Sequence, residues 1–382
     1  MNAARRTSTF RVATAMLGTI IGAGVFGLPA ALKDNGILAG SLIFWAMALV
    51  VLATHLLYAD VIIRTPTMMM HRLPGQVKRL LGNGFATVAF LSHPMQIIGS
   101  CFAYLILGGE FLAVLASLAG FSAATLVWQV VFWAAGAVAV FLGLRFIAKL
   151  EAPMAWLLVG LLLISTAFFL NGADGSRFVV SHWTNILAPL GVFLFALSGM
   201  PAVPEVVALA DLDPVRSRLG IAIGSLAAAL LMWLFAVFAL AKLGNAITSN
   251  PADLVKAFPP SLMWLIPAAG FLSVGSCFMI LMQDLKSMLR FDAHLAKPVA
   301  WALALLSPLM LLFIIPRDFL AAVSVVGSIF GSINGILIAF MAIKIRQKDR
   351  GHILVRYGIP GVVAGVFLVV LIWRMLSIGN IF

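Results

Sequence analysis

Apolar residues run along this chain in long, nearly unbroken stretches separated by short polar ones, the pattern of helices that cross a bilayer. Eleven such stretches can be drawn, at about 11–32, 37–63, 84–117, 122–143, 152–170, 187–209, 219–243, 262–289, 298–315, 319–343 and 357–378. A hydrocarbon core needs roughly 20 apolar residues in a helix, and each stretch is close to that or longer. The polar gaps give the direction. Of the 25 Lys and Arg, all but Lys33, Arg177, Lys242, Lys256, Arg317 and Arg374 fall in the N-terminal segment or in alternate gaps. Basic residues mark the cytoplasmic side, so the N-terminus is expected inside and the C-terminal Ser377 to Phe382 outside.

Two stretches break their own pattern. In the first, Met16-Leu-Gly-Thr-Ile-Ile-Gly-Ala-Gly-Val-Phe-Gly-Leu-Pro29 places four glycines and a proline within a bilayer-spanning length. Backbone groups at membrane depth are left unpaired only where protein, water or a ligand takes them up, so a break here implies a cavity. A glycine packing seam would account for Gly18 and Gly22, but not for Gly24, Gly27 and Pro29 following at once. The sixth stretch is interrupted in turn, in Phe195-Ala-Leu-Ser-Gly-Met-Pro-Ala-Val-Pro-Glu205. Phe26-Gly-Leu-Pro29 and Ser198-Gly-Met-Pro201 share Gly, a bulky apolar residue and Pro. The first and sixth stretches each open a set of five, and five crossings reverse direction, so two related sets would be inverted. Interrupted helices at matching places of inverted halves point to a transporter binding site.

Composition agrees and narrows the chemistry. The chain is 63% hydrophobic and 10% charged over 382 residues, which no soluble core requires. The net charge of +12 does not imply a nucleic-acid partner, because the basic residues lie on one side of a bilayer. An Arg5, Arg6, Arg11 start before an apolar run also suits a signal peptide, but the glycine break and the further spans behind it favour a membrane segment. Cys101 and Cys277 fall inside spans, where an exported disulfide or a metal cluster is not expected; both read as buried, inert thiols. No metal-spaced His/Glu set, activated nucleophile or nucleotide loop argues for an enzyme, and no cofactor is expected beyond a coupling ion. A non-transporting sensor is the alternative from another class. A channel fits less well, since a closed midplane site suits alternating access.

The motifs Gly18-Thr-Ile-Ile-Gly-Ala-Gly-Val-Phe-Gly-Leu-Pro29, Phe102-Ala-Tyr-Leu-Ile-Leu-Gly-Gly-Glu110 and Leu194-Phe-Ala-Leu-Ser-Gly-Met-Pro-Ala-Val-Pro-Glu205 resemble bacterial amino-acid permeases. The family is the amino acid/polyamine/organocation superfamily, in its amino acid/auxin and aromatic amino-acid permease branch. The resemblance implies an all-α integral membrane protein with the LeuT-like five-plus-five inverted repeat. Spans one and six are broken, eleven helices cross the membrane, and a single domain covers 1–382. Repeat one is about 11–170, repeat two about 187–343 and an extra span about 357–378. It further implies secondary active transport of an amino acid across a bacterial inner membrane. Its contact positions map to Thr19, Ile20, Ala23 and Gly24 in span one and to Phe195, Ala196 and Ser198 in span six, with Tyr104 beside the substrate carboxylate. Gly22 belongs to the same break.

Physical chemistry explains why such a site needs no charged side chain. Half-helices ending at Gly22 to Gly24 aim free N–H groups and a positive dipole end at a carboxylate. Freed carbonyls near Thr19, Ile20, Phe195, Ala196 and Ser198 accept from an ammonium. Phe26, Phe195, Met200 and Phe271 are candidates for an apolar pocket wall, which favours an apolar or aromatic amino acid.

For the coupling ion two readings stand. The sodium site of the resembling fold maps to Gly18, Ile21, Ser273 and Ser276, but a paired hydroxyl at adjacent positions is missing. For protons, the titratable residues within spans are His55, Asp60, His93, Glu110, Glu205 and Asp284. Asp60 and Asp284, near inner ends, are expected to be solvated or to cap. Glu205, two turns past Ser198, is the favoured proton group. The resemblance also includes relatives with a lysine in span five as an ion substitute, but Lys149 lies just before that span, too near the surface to match. Gly327, Gly331 and Gly335 read as a packing seam, Arg317-Asp318 as an exposed pair, Asn250 to Asp253 with Pro259-Pro260 as an outer loop, and Lys344 to Arg356 as a headgroup anchor.

Overall fold

The computed structural model describes residues 3–69, 71–142, 144–183, 185–347 and 354–379. Among them all regular structure is helical. Each sequence stretch becomes a helix, because a segment apolar on every side can satisfy its backbone in lipid only through its own i to i−4 bonds. Span one is two helices, Ala3–Ile20 and Gly24–Lys33, bent by 61° at their junction. Spans two to five are Gly36–Arg64, Asn83–Leu118, Thr125–Leu142 and Leu144–Leu170. Span six is Leu190–Leu197 and Val203–Leu209, joined by a 3₁₀ turn at Met200–Ala202. Spans seven to nine are Pro214–Leu243, Leu265–Phe291 and Lys297–Ile314. Span ten runs from Phe319–Val325 through a π turn, Val326–Gly331, into Ser332–Arg346, and span eleven is Ile359–Gly379.

Burial sorts the spans into a centre and a rim. Spans three, six, eight and ten each bury more than three fifths of their apolar window, while spans nine and eleven bury 28% and 22%. Span one packs on seven, span eight on three and five, and the first half of span six on the π turn of span ten. The expected glycine seam is used at Gly327 and Gly335 but not at Gly331, where a Cβ would meet nothing closer than 3.6 Å. A side chain at Gly327 would meet the Phe195 nitrogen at 2.9 Å, and one at Gly335 would press on the Phe367 ring.

The sequence pattern did not anticipate the helix Leu73–Leu81 between spans two and three. Leu73, Pro74, Gly75, Gln76 and Val77 are buried while Lys78 and Arg79 stay exposed. It lies at the end of the bundle where most of the basic residues gather, called here the basic end.

Asp60 is not solvated at that end. Its buried carboxylate takes Arg64 at 3.2 Å, Arg218 at 3.0 Å and Arg346 at 2.8 Å, tying spans two, seven and ten together. At the opposite end Arg317 and Asp318 do not form the expected pair. Asp318 accepts from the Ala321 N–H and caps span ten, and Arg317 reaches toward Gln129 Oε1 at 3.5 Å. In the 250–260 loop, Lys256 first and then Thr248 hold the Asp253 carboxyl below the usual range. The Lys149 side chain, most of the tract from Lys348 onward and the last three residues lie outside the described residues.

Candidate functional site between the broken spans

Glycine sets how closely the two interruptions approach. A Cβ built on Gly24 would overlap the Ala196 Cα and sit 2.7 Å from the Ala196 Cβ, so the start of the second half of span one rests directly on span six. Beside this contact the backbone of span one is only partly satisfied. Gly22 N–H folds back to the Ile20 carbonyl at 2.8 Å, and Val25 N–H bonds the Gly22 carbonyl at 3.3 Å. The N–H groups of Ala23 and Gly24 make no hydrogen bond among the described residues. They open a helix of ten residues, whose N-terminal dipole end favours an anion.

Span six resolves its interruption differently. The Gly199 N–H is 3.0 Å from His55 Nε2. An N–H can only donate, so Nε2 accepts and Nδ1 carries the ring proton, which it gives to Ser225 Oγ at 3.2 Å. His55 is fully buried. A neutral imidazole from span two thus ties the break in span six to span seven, a role that the residue's position in the sequence did not suggest.

Between the interruptions and span three lies a narrow cavity of about 40 Å³. Thr19, Tyr104, Phe195 and Ser198 line it, which brings together four of the positions named from sequence. Tyr104 and Phe195 meet edge to face at 6.0 Å. The Tyr104 hydroxyl lies beside Gly22, where an added Cβ would be 3.5 Å from it. Ile20, Ala23, Gly24 and Ala196 are buried and are not part of its wall. Of the expected apolar wall only Phe195 is present. Met200 lines a second cavity, Phe26 joins a ring cluster with Phe111 and Phe235, and Phe271 packs on Phe132.

Several wall residues were not named from sequence: Gln96, Ile97, Ser100, Ile280 and Leu281. Gln96, Ser100 and Tyr104 follow one another at four-residue spacing, a polar stripe on an otherwise apolar helix that could have been read. Cys277, buried as expected, also lines the cavity. Its thiol lies 3.0 Å from a Cβ built at Gly22 and 3.9 Å from the Thr19 carbonyl.

The positions mapped to a sodium site are partly assembled. Ser273 Oγ donates to the Ile21 carbonyl at 3.2 Å, bridging spans eight and one. Ser276 donates to the Ser273 carbonyl on its own helix, and Gly18 faces Ala155 of span five. Among the described residues no three His, Cys, Asp or Glu converge as a metal site.

Toward the basic end the cavity adjoins a smaller one of about 10 Å³, the two sharing Gln96 and Pro201. Arg72 closes it. Its Nε is 2.7 Å from Asp284 Oδ1, and its terminal nitrogen is 3.1 Å from Glu205 Oε1. Asp284 Oδ2 also meets His93 Nε2 at 3.2 Å. Glu205, the favoured proton group from sequence, is ion-paired, with its side chain 55% exposed. Asp284, expected at a solvated inner end, is buried in the pair. The charge of Asp284 above all, with that of Glu205, raises the Arg72 guanidinium above the ordinary arginine range, so Arg72 is a permanent cation there.

Comparisons with known proteins follow this geometry. A sequence profile of the tryptophan/tyrosine permease family matches residues 5–380. Among solved structures, MhsT in complex with L-phenylalanine superposes with a TM-score of 0.72 at 15% identity, covering 94% of this chain and 98% of that one. Mhp1 in its inward-facing conformation gives 0.63 at 13% identity, covering 97% and 91%. Mhp1, a nucleobase-cation-symport-1 family transporter, closed with bromovinylhydantoin bound, gives 0.63 at 14%, covering 98% and 93%. No curated protein sequence matches. The fold is the LeuT-like five-plus-five arrangement expected from the sequence motifs.

Proposed function

The chain belongs to the tryptophan/tyrosine permease family, and on that premise we propose that this membrane transporter carries an aromatic amino acid by proton-driven alternating access. The membrane is a bacterial inner membrane, with the basic end in the cytoplasm. Residues 11–170 and 187–343 are its two inverted halves, with 357–378 an appended span.

One observation carries the reading. The unmet N–H groups of Ala23 and Gly24, at a helix N-terminus, follow within five residues of Thr19, which lines a cavity together with Tyr104 and apolar surface from Phe195, Ile97, Ile280 and Leu281. An amino acid brings a carboxylate that backbone donors and a phenol can hold without a countercharge. Its ammonium needs acceptors. Thr19 Oγ1 spends its proton on the Ala15 carbonyl and Ser100 Oγ spends its own on the Gln96 carbonyl, so both present lone pairs to the cavity.

The proton reading rests on Arg72. One guanidinium serves Asp284 and Glu205, and it must leave the path for the basic end to open. Two carboxylates without their cation repel, and a proton on one of them relieves that. Arg72 and a proton then alternate at the pair, which links proton binding to the open state. The contact of Ser273 with the Ile21 carbonyl favours a second reading, a sodium ion held by Gly18, Ile21, Ser273 and Ser276.

The test is counterflow and gradient-driven uptake in proteoliposomes with labelled amino acids. Exchange of aromatic amino acids, with accumulation driven by an inward pH gradient in the absence of sodium, is expected. Exchange of a nucleobase instead would refute the substrate class. Uptake that follows sodium and is lost in Ser273→Ala would replace the proton with sodium. A binding readout independent of transport is Cys277 in a Cys101→Ser background: bound substrate should shield its thiol from a maleimide.

A further inference from the structure

Gln96 borders both cavities, at the far end of the central one from Tyr104. Eight residues separate them on one face of span three, about 12 Å at 1.5 Å per residue, which is on the order of the length of an extended aromatic amino acid. A substrate with its carboxylate beside Tyr104 and Gly22 has its ring between Ile97, Ile280 and Leu281 and its tip at Gln96.

The Gln96 carboxamide is not left to itself. Its Oε1 accepts from Asn334 Nδ2, and Asn334 Oδ1 accepts from Ser92 Oγ at 2.7 Å. Asn334 is fully buried, and Ser92 nearly so. This string runs from span three to span ten and back. It occupies the Gln96 oxygen and leaves its two N–H donors, which make no hydrogen bond among the described residues, beside the cavity. Turning both amides over reverses every bond. Gln96 then donates to Asn334, Asn334 donates to Ser92, and the Gln96 oxygen becomes the free group. The same three side chains can therefore offer a donor or an acceptor, with all their own bonds kept.

We propose that Gln96, backed by Asn334 and Ser92, is the specificity-determining residue that hydrogen-bonds the polar atom of an aromatic side chain and discriminates against a plain hydrocarbon ring. The inference rests on the aromatic amino-acid reading above. A phenol oxygen takes the Gln96 donor, and an indole N–H takes the Gln96 oxygen after the string has reversed. A phenyl ring offers neither, so its binding strips Gln96 of water and returns nothing. Sites built to hydrogen-bond a substrate group reject the analogue that lacks it.

The experiment is counterflow with tyrosine, tryptophan and phenylalanine in proteoliposomes of the native protein and of Gln96→Met, which keeps the side chain's length and removes its hydrogen bonds. The native protein should exchange tyrosine and tryptophan about tenfold or more better than phenylalanine. Gln96→Met should bring all three within about threefold of one another, by loss for tyrosine and tryptophan with phenylalanine kept. A variant that preserves the native ratios, or that loses all three by one common factor as a purely structural role demands, overturns the proposal. Should Gln96→Met not fold, Gln96→Leu is read by the same ratios. If the native protein exchanges no aromatic amino acid, the underlying transport reading fails, an outcome distinct from a flat selectivity ratio in the native protein, which refutes Gln96 alone.

Discussion

The interruptions of spans one and six look alike in sequence and differ in who satisfies the backbone. In span six the Gly199 N–H is taken by His55 Nε2, the break is bridged by a short 3₁₀ turn, and the span still passes as one continuous crossing from Leu190 to Leu209. In span one the Ala23 and Gly24 N–H groups are taken by nothing among the described residues, and the axis turns by 61°. A buried donor left unpaired costs roughly 1–3 kcal/mol; the first break leaves the donors of Ala23 and Gly24 unmet, whereas in the second His55 takes the Gly199 donor and only that of Met200 is left among the described residues. The difference teaches that a glycine-proline motif marks where a helix stops, while the neighbouring helices decide whether the stop binds anything.

The largest effect should come from the contact that holds the two breaks together. Any side chain at Gly24 overlaps the backbone of Ala196, and backbone cannot give way as a flexible side-chain end can. Gly24→Leu is therefore expected to prevent a folded, monodisperse protein, with even Gly24→Ala losing more than the roughly 1–3 kcal/mol typical of overpacking. From the sequence alone this change reads as a filled carboxylate position in an intact fold; the close approach of span six makes it a packing lesion. Size-exclusion profile and thermal midpoint decide it, and an intact Gly24→Leu that merely fails to bind would restore the simpler reading.

What was legible follows the same division. The spans were readable because each is apolar over its own length, and the breaks because Gly22, Gly24, Pro29, Gly199 and Pro201 act on their own backbone. The helix Leu73–Leu81 was not readable, since its nine residues owe their helicity to packing of one short face rather than to lipid. Nor were partnerships across helices, such as Asp60 with Arg218 and Arg346 or His55 with Gly199, because no spacing within one segment encodes them. Gln96 and Ser100 fall between: their four-residue spacing with Tyr104 was visible, but only the neighbouring spans reveal that this face meets a cavity.

Removing the partner of the Gly199 donor in span six should have the next largest effect. His55→Ala strands the Gly199 N–H in the core and also opens a void, with an expected loss of about 2–4 kcal/mol from the unpaired donor and the lost packing. His55→Gln can still accept through its side-chain oxygen, so it should recover part of that loss. Thermal unfolding of the two variants tests this, and a His55→Gln midpoint no higher than that of His55→Ala would overturn the acceptor role. The matching change in the open break is Gly22→Ala. Its added methyl group meets the Cys277 sulfur at 3.0 Å and the Tyr104 hydroxyl at 3.5 Å. Both are side-chain atoms able to shift, so stability should fall by no more than about 1–2 kcal/mol. Substrate protection of Cys277 should nevertheless be lost, because the methyl group lies between the Tyr104 hydroxyl and the break. Retained protection would move the carboxylate position away from Gly22.

The smallest effect on stability is expected at Glu205, on the second half of span six. More than half of its side chain is exposed, and its ion pair with Arg72 is of the kind worth about 0–1 kcal/mol. Arg72 retains Asp284 as its shorter, buried partner, so Glu205→Gln leaves the closed arrangement nearly as stable as before. Its consequence should appear only when Arg72 departs. The native pair then holds two carboxylates that a proton can relieve, whereas the Glu205→Gln variant holds only the Asp284 charge, with His93 still beside it, and has less need of a proton. Counterflow, which requires both open states but no net driving force, should continue near the native rate. Accumulation driven by an inward pH gradient should fall toward equilibration, and protons carried per substrate should drop. If Glu205→Gln still concentrates substrate fully, proton coupling does not run through this carboxylate, and Asp284 with His93 becomes the group to test through Asp284→Asn. If accumulation instead collapses together with counterflow, Glu205 serves the closure of the basic end rather than the coupling, and the difference between the two breaks reduces to the backbone donors alone.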